Sequence, residues 1–382
     1  MPSEKMPITR SVLTWARQRA GYSLEALQAE KGFAKAGLWE NEDSDVFPSY
    51  PQLEKLSEKL KVPIAVFFFP EPPEIPPVEK SFRTLGPDQV AMIPPRIRLL
   101  LGKAKAFQLS LVELTGGENP AERLITREYR PNARVSIDRM AARVREYIGV
   151  PIEEQFRWAG PDTALKAWRN ALESVGVYVF KDQFRQDDYS GFCLYDDEFP
   201  IIYVNNSTTK TRQCFTLFHE LAHLLFHTSG IDTVEDDYID ALPEGDQKIE
   251  IICNRFAARF LVPEDRFEKA LGDRNATEET AADLASLFNV SREFIFRMFL
   301  DRGLITEKKY RAAVKLWNSQ KKPSSGGDPY RSKIAYLGDG YIDLAFSQFY
   351  RNRIDEIQLA DYLDIKPKNV ATLESYVTRG AP

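Results

Sequence analysis

The feature that most constrains this chain is the placement of its three histidines, which all lie within residues 218–227. His219, Glu220 and His223 form the pattern H-E-x-x-H. Residues four apart on a helix share one face and lie about 6 Å apart along its axis, so two imidazoles in this pattern can bind one metal ion. Packed core histidines are the alternative explanation, but core packing does not explain why every histidine falls on one segment.

The residues around this pattern predict the helix that it needs. Residues 215–226 read F-T-L-F-H-E-L-A-H-L-L-F, a strongly apolar run. The pattern predicts a hydrolytic site. Two histidines would bind Zn²⁺, and Glu220 would act as the general base on the attacking water. His227 lies about 12 Å from His219 along a continuous helix. We therefore interpret His227 as a neighbour of the site or a packed residue, unless the helix ends before it.

A zinc ion that keeps one position open for water needs a third protein ligand. Residues 246–262 have apolar side chains at helical spacing, and Pro263 ends that pattern. Glu250 and Asn254 lie four apart on an adjacent face of this predicted helix. The candidate third ligand is therefore Glu250, with Asn254 as a side chain that orients the site. The alternative for Glu250 is a solvated helix carboxylate.

Four segments of the chain together resemble the ImmA/IrrE zinc metallopeptidases, bacterial and phage enzymes that cut repressor proteins. They are Gly191-Phe192, F-P-I-I-Y-V-N-N at 199–206, F-T-L-F-H-E-L-A-H at 215–223 and E-x-x-C-N-x-F-A-A-x-F-L-V-P at 250–263. The resemblance covers roughly residues 165–265. It implies His219, His223 and Glu250 as zinc ligands, Glu220 as the base, and a transcriptional repressor cut after stress as the substrate. Cys253 departs from the family, which usually has Ala there.

Residues 8–65 resemble the XRE family of phage-repressor-like DNA-binding domains, in the words W-A-R-x-R-A-G-x-S-L-E, L-W-E-N and Q-L-E-K-L-S-E-K-L-K-V-P. The resemblance implies Ser23–Glu30 as the second helix and Ala34–Glu40 as the recognition helix. Residues 8–62 carry eight basic and eight acidic side chains, and residues 40–45 are acidic. Because phosphate neutralisation dominates affinity for DNA, this balance leaves two interpretations open. One is DNA binding through residues 8–65, and the other is dimerisation or docking of a protein substrate.

Composition and charge narrow the class of protein. The net charge of −5 gives no basic field for nucleic acid or membrane, and no apolar run approaches the roughly 20 residues of a membrane span. The N-terminus has no apolar core like that of a signal peptide. The three scattered cysteines fit reduced thiols. These features predict a cytoplasmic protein.

The chain is predicted to be a mostly helical α+β protein. We expect an N-terminal helix-turn-helix bundle, a zincin-like peptidase core with a small β-sheet, and a C-terminal helical unit. The expected domains are 1–70, helix-turn-helix; 71–160, proline-rich linker and helical segment; 161–320, zinc metallopeptidase; and 321–382, linker and C-terminal helices. Strands are predicted at 177–180, 192–195 and 201–204, and helices at 334–350 and 357–376.

The predicted function is zinc-dependent endopeptidase cleavage of a transcriptional repressor, coupled to the helix-turn-helix domain. The alternative is a DNA-binding regulator or an antitoxin-like partner-binding protein whose metal site is regulatory. The sequence leaves the oligomeric state open, with a homodimer as one candidate. We expect the strand at 199–206 to pair with an extended substrate. The candidates for an oxyanion donor are Tyr203, Asn205 and Arg255.

Overall fold

The structure, a computed structural model, describes residues 5–73, 93–132, 134–186, 188–228, 231–233, 244–319 and 327–378. The chain divides into two compact units, residues 1–105 and 106–382. The prediction of a mostly helical α+β protein is confirmed. Most of the proline-rich linker and of the linker at 321–328 lies outside the described residues. Within the described residues, no helix combines the length and apolar character needed to cross a membrane.

The first unit is built from four short helices, two of which have side-chain caps. They are α1 (Arg10–Arg19), α2 (Leu24–Ala29), α3 (Ala36–Glu40) and α4 (Tyr50–Leu60), followed by a 3-10 turn at Ile64–Phe68. Ser23 caps α2 by accepting from the amide of Ala26, and Ser49 and Gln52 form a capping box on α4. Trp39 lies at the centre of the unit, with Leu53, Leu56 and Phe67 around it.

Helices precede the sheet of the second unit. They are α5 (Pro95–Thr115), which begins in the first unit, α6 (Ile125–Glu128), α7 (Ile137–Ile148), α8 (Ile152–Gln155) and α9 (Pro161–Glu173). The strands are β1 (Tyr178–Asp182), β2 (Tyr189–Leu194), β3 (Ile201–Asn205) and β4 (Ile231–Thr233), with α10 (Lys210–Leu225) between β3 and β4. After β4 come α11 (Glu244–Leu261), α12 (Glu264–Leu271), α13 (Glu278–Phe288), α14 (Arg292–Asp301) and α15 (Glu307–Ser319). The chain continues through α16 (Pro329–Leu337), α17 (Asp339–Tyr350), α18 (Glu356–Tyr362), a 3-10 turn (Pro367–Asn369) and α19 (Val370–Thr378).

The four strands run in the order β1-β3-β2-β4. β3 is parallel to β1 and antiparallel to β2, and β4 is antiparallel to β2. Both edges of β3 are therefore hydrogen-bonded within the sheet. The expectation that β3 pairs with a substrate is wrong, because its backbone donors and acceptors are already used on both sides.

Helices cover both faces of the sheet. On one face, Trp168 of α9, Phe218 of α10 and Phe260 of α11 form an aromatic cluster, with the rings of Phe218 and Phe260 3.9 Å apart. On the other face, Phe180 of β1 stacks on Phe107 of α5 at 4.3 Å and meets the edge of Tyr341 of α17. The C-terminal helices thus pack on the face of the sheet that lies away from α10.

Candidate metal centre

The helix α10 carries the H-E-x-x-H pattern between the sheet and α11. The side chain of Thr209 caps its first turn by accepting from the amide of Arg212. The helix packs against α11 on one side and against β2 and β3 on the other. Every residue from Thr216 to Leu225 is buried. The apolar flanks of the motif are therefore core, as the sequence predicts, and the motif itself sits inside that core.

The closest approach of α10 to β2 depends on a glycine. A Cβ at Gly191 would overlap the Cγ2 methyl of Thr216 and crowd the backbone carbonyl of Tyr203. Glu220 lies one turn after Thr216 on the same helix, and its carboxyl group is fully buried at 0% exposure. Gly191 thus lets the helix side that bears Glu220 lie directly against the sheet.

Two helices bring the three predicted metal ligands to one point. The Nε2 atoms of His219 and His223 lie 3.2 Å apart. Glu250 of α11 places one carboxylate oxygen 3.3 Å from His219 Nε2 and the other 3.2 Å from His223 Nε2. Among the described residues, these three form the one group of histidine, cysteine and acidic side chains with metal-binding spacing. Glu250 is 8% exposed and each histidine 1%, so the donors face one another inside the protein.

The remaining nitrogens of the two imidazoles are each held by a polar side chain. His219 Nδ1 lies 3.0 Å from Asn254 Oδ1, which is the contact expected of an orienting residue. His223 Nδ1 lies 3.2 Å from the hydroxyl oxygen of Thr228, which in turn donates to the carbonyl of His223 at 3.0 Å. Because that hydroxyl gives its proton to a carbonyl, it accepts from Nδ1–H. This arrangement leaves the lone pair of each Nε2 directed into the site.

Sequence analysis did not identify Thr228. It lies just after the end of α10, where His227 takes a left-handed backbone conformation with φ of 56°. That turn folds Thr228 back over the last helical turn, and its amide donates to the carbonyl of His223 at 2.9 Å. His227 itself stacks on Tyr195 with ring centres 4.6 Å apart, and its Nε2 lies 3.1 Å from the carbonyl of Thr126. The structure therefore places His227 as a packed neighbour of the site.

The electrostatics of the site favour a positive charge between the imidazoles and the carboxylate. Burial raises the pKa of Glu250, but the two adjacent histidines outweigh it and hold that pKa far below its ordinary value. Burial lowers the pKa of His223, but Cys253 and Glu250 outweigh it and raise that pKa well above its ordinary value. A divalent cation would supply the positive charge that this cluster favours.

The donor set also fits a tetrahedral metal ion. Ligand atoms bound at about 2.0 Å around a tetrahedral ion lie about 3.3 Å from one another. The separation of the two Nε2 atoms, 3.2 Å, matches that value, and each Nε2 lies 3.2–3.3 Å from one of the two carboxylate oxygens of Glu250. Two imidazoles and one carboxylate are borderline and hard donors that would suit zinc, and three such ligands would leave a fourth position for water or substrate.

The three candidate oxyanion donors do not share this site. Tyr203 stacks on Phe192 with ring centres 5.0 Å apart, on the sheet face opposite α10. Asn205 ties a loop together, because its amide donates to the carbonyl of Tyr189 at 2.8 Å and its oxygen accepts from the amide of Ser207. Arg255 has an exposed side chain on α11. The geometry thus gives none of them a position beside the three ligands.

Fold and site together define a domain in which a buried H-E-x-x-H helix and the helix that follows bring together three side chains that could hold a metal ion. A family model described as the IrrE N-terminal-like domain, Peptidase_M78, matches residues 172–299. The match confirms the resemblance to the ImmA/IrrE family over that segment. The match begins within α9 and ends within α14, so it includes the sheet and all three ligands.

Two relatives carry the same description, radiation response metalloprotease IrrE. The protein of Deinococcus deserti is 37% identical over 100 residues, which are 25% of this chain and 34% of that protein. The protein of Deinococcus radiodurans is 36% identical over 100 residues, 25% of this chain and 30% of its own length. The chain therefore spans about a third of the length of these relatives. A solved structure, a Mycobacterium tuberculosis transcriptional regulator, matches 43% of this chain and 46% of its own at 18% identity and a TM-score of 0.29.

Proposed function

We propose that this protein is a zinc-dependent endopeptidase that cleaves a transcriptional repressor. The observation that carries the proposal is the convergence of His219, His223 and Glu250 at 3.2–3.3 Å, next to the buried Glu220. The description of both IrrE relatives as metalloproteases supports the same reaction class.

Zinc bound to these three residues would act as a Lewis acid that makes water nucleophilic near neutral pH and polarises a peptide carbonyl. The chain's own residues do the rest. Glu220 takes the proton from the attacking water and returns it to the leaving amine as the peptide C–N bond breaks. Asn254 and Thr228 hold both imidazoles in the orientation that this chemistry needs.

In this proposal an extended substrate pairs with β4, which is one of the two edge strands of the sheet in the described part of the chain. β4 is the last strand in the sheet order, and its hydrogen-bonded neighbour is β2. β2 also lies against the part of α10 that carries Thr216 and Glu220. A peptide added to β4 would extend the sheet by backbone hydrogen bonds and would leave side chains to select the sequence.

The N-terminal unit has a regulatory role in this proposal, through the helix pair α2 and α3. The exposed side chains of α3 and the residue before it include Lys35 and Leu38, the latter 45% exposed. One cation and one apolar side chain give little readout of base edges in a major groove. We therefore propose that a protein, such as the repressor substrate, is the partner of this helix pair.

The first test is the metal content of the purified chain and of two variants, Glu250→Ala and Glu268→Ala. Glu268 is an exposed carboxylate on the next helix and serves as the matched control. We expect about one zinc per chain in the wild type and in Glu268→Ala, and loss of zinc in Glu250→Ala. Zinc retained in Glu250→Ala would contradict the ligand assignment.

The second test addresses the substrate. The metal-loaded chain is incubated with a panel of helix-turn-helix repressors from the same genome, and the products are identified by mass spectrometry. We expect one repressor to be cut at one bond, and the same chain after treatment with a chelator to leave it intact. A chain that binds zinc and cuts none of the panel would favour the regulator with a non-catalytic metal site.

A further inference from the structure

Two aromatic side chains beside the metal centre are only partly buried. Phe215 lies one helical turn before His219 on α10, and the centres of the two rings are 6.4 Å apart. Phe294 of α14 packs against it with ring centres 6.1 Å apart. Both side chains contact the main core from its margin. Phe218 and Phe260, by contrast, are 0% exposed in the centre of that core.

A guanidinium group bounds this aromatic pair at the end away from the metal ligands. The guanidinium carbon of Arg212 lies 5.3 Å from the centre of the Phe215 ring. The Nε of Arg212 donates to the hydroxyl of Ser190, a fully buried residue of β2, at 3.0 Å. Arg212 thereby links α10 to the sheet.

The spacing of Arg212, Phe215 and His219 along α10 sets the length of the surface that they form. Arg212 and His219 are seven residues apart, which is about 10 Å along a helix. They lie on the same side of α10, with Phe215 between them, since residues three, four and seven apart share a face. Phe215 therefore presents its ring on this stretch directly next to the first metal ligand.

We infer that Phe215 and Phe294 form a specificity subsite for a large apolar side chain, aromatic or branched aliphatic, of the residue at the scissile bond. This inference rests on the proposed peptidase function. The subsite touches ligand His219 at one end, so its occupant belongs to a residue directly beside the cleaved bond. Its two walls are aromatic rings, which favour apolar and aromatic partners.

The expected preference for large side chains depends on how many carbon atoms the subsite buries. Each methylene group buried in an apolar pocket strengthens binding by roughly 4-fold. A benzyl or isobutyl group replaces the methyl of alanine by several carbon atoms. We therefore expect a preference of about 10- to 100-fold for the large side chains.

The test measures ligand binding instead of turnover. Three peptidyl hydroxamates that differ in one side chain (methyl, isobutyl or benzyl) are titrated calorimetrically into the zinc-loaded full-length chain. The wild type is expected to bind the isobutyl and benzyl compounds about 10- to 100-fold more tightly than the methyl compound. Phe294→Ala is expected to lose most of this difference, and Phe294→Leu to keep part of it.

Phe349→Ala is the matched control, because Phe349 is a partly buried phenylalanine of α17, whose helix packs on the far face of the sheet. It is expected to retain the full preference. Zinc content and thermal unfolding are measured for every variant, and Phe294→Leu keeps the test decisive if Phe294→Ala unfolds.

The outcomes separate the subsite from the proposed function. Equal binding of all three compounds by the wild type, or an unchanged preference in both Phe294 variants, would overturn the subsite while leaving an accessible metal centre. Failure of every compound to bind a zinc-loaded chain would overturn both the subsite and the open metal position. Loss of the preference in Phe349→Ala as well would assign the effect to general loosening of the core and would also overturn the subsite.

Discussion

The metal centre and the N-terminal unit both bury charged side chains, and they use them in opposite ways. In the N-terminal unit, Arg17 donates to Glu40 at 2.7 Å and to the carbonyl of Tyr22 at 2.8 Å, while Thr14 donates to Glu40 at 3.0 Å. The charges of Arg17 and Glu40 therefore neutralise one another within the unit. In the metal centre, two imidazoles and a carboxylate turn their acceptor atoms toward a common point. Buried polar groups of opposite charge that pair hold a fold together, whereas acceptor atoms that converge on one point favour a cation between them.

The largest effect is expected at Glu220. Glu220→Gln keeps the size of the side chain and removes its basicity. We expect cleavage to fall by about 10²- to 10⁴-fold, because a positioned general base contributes that much to the rate. The zinc content should stay at the wild-type level. The measurement is single-turnover cleavage of the identified repressor, together with elemental analysis. Loss of zinc in this variant would contradict the assignment of Glu220 as base and make it part of the ligand set.

The second prediction tests the closed network of the N-terminal unit. Glu40→Ala leaves the buried guanidinium of Arg17 without its carboxylate, and we expect the unit to lose about 3 kcal/mol of stability. The measurement is urea unfolding followed by tryptophan fluorescence, to which the buried Trp39 contributes. Arg17→Met combined with Glu40→Leu should recover much of the loss, because it removes both charges. An unaltered midpoint in Glu40→Ala would show that the pair contributes nothing.

The third prediction concerns a buried cation that belongs neither to the metal centre nor to the Arg17–Glu40 network. Lys181 of β1 is 7% exposed, and its ammonium lies 3.3 Å from the amide oxygen of Gln213. Burial lowers the pKa of Lys181 to about 7, helped by Lys210 and Arg169 and opposed by Cys214 and Asp162. The folded chain therefore binds fewer protons at this residue than the unfolded chain between pH 7 and 10.5. Its stability should rise with pH across that window.

Lys181→Met should abolish this dependence. At pH 6.5 the variant is expected to be more stable than the wild type by about 2 kcal/mol, since it no longer buries a charge. At pH 9 the difference should be smaller. Urea unfolding at both pH values measures it, with exposed Lys166→Met as the control. The same rise with pH in wild type and Lys181→Met would assign the dependence to another group.

The smallest effect is expected at Thr228. Thr228→Val is nearly isosteric and removes the acceptor for His223 Nδ1–H. We expect zinc affinity to fall by about 10-fold, at the lower end of the range for outer-shell partners of metal ligands. Competition with a chelating dye measures the dissociation constant. Thr228→Ser, which keeps the hydroxyl, should restore most of the affinity. Equal affinity in wild type and Thr228→Val would mean that packing alone fixes the orientation of His223.

Local patterns in the sequence predicted much of the fold. The helix at 215–225, the second helix at 246–261 and the three longer strands follow from spacing and residue type, with ends displaced by a few residues. The predicted helix at 334–350 was wrong, because Gly338 divides it into α16 and α17. Gly338 has φ of 89°, and a Cβ there would overlap the guanidinium of Arg169. That guanidinium also donates to the carbonyl of Ala335 at 2.8 Å, a contact with no local signal in the sequence.

The sequence by itself determined the H-E-x-x-H helix and the common face of its two histidines, because a separation of four residues places them on one side wherever the helix lies. It also identified Glu250 and Asn254 as neighbours on one face of the second helix, for the same reason. Only the tertiary structure decided that α11 brings Glu250 within 3.3 Å of both imidazoles, and that Thr228 returns to His223. It alone placed β3 inside the sheet and Phe294 beside Phe215. These contacts join segments distant in the chain or depend on a single left-handed residue, so no local periodicity encodes them.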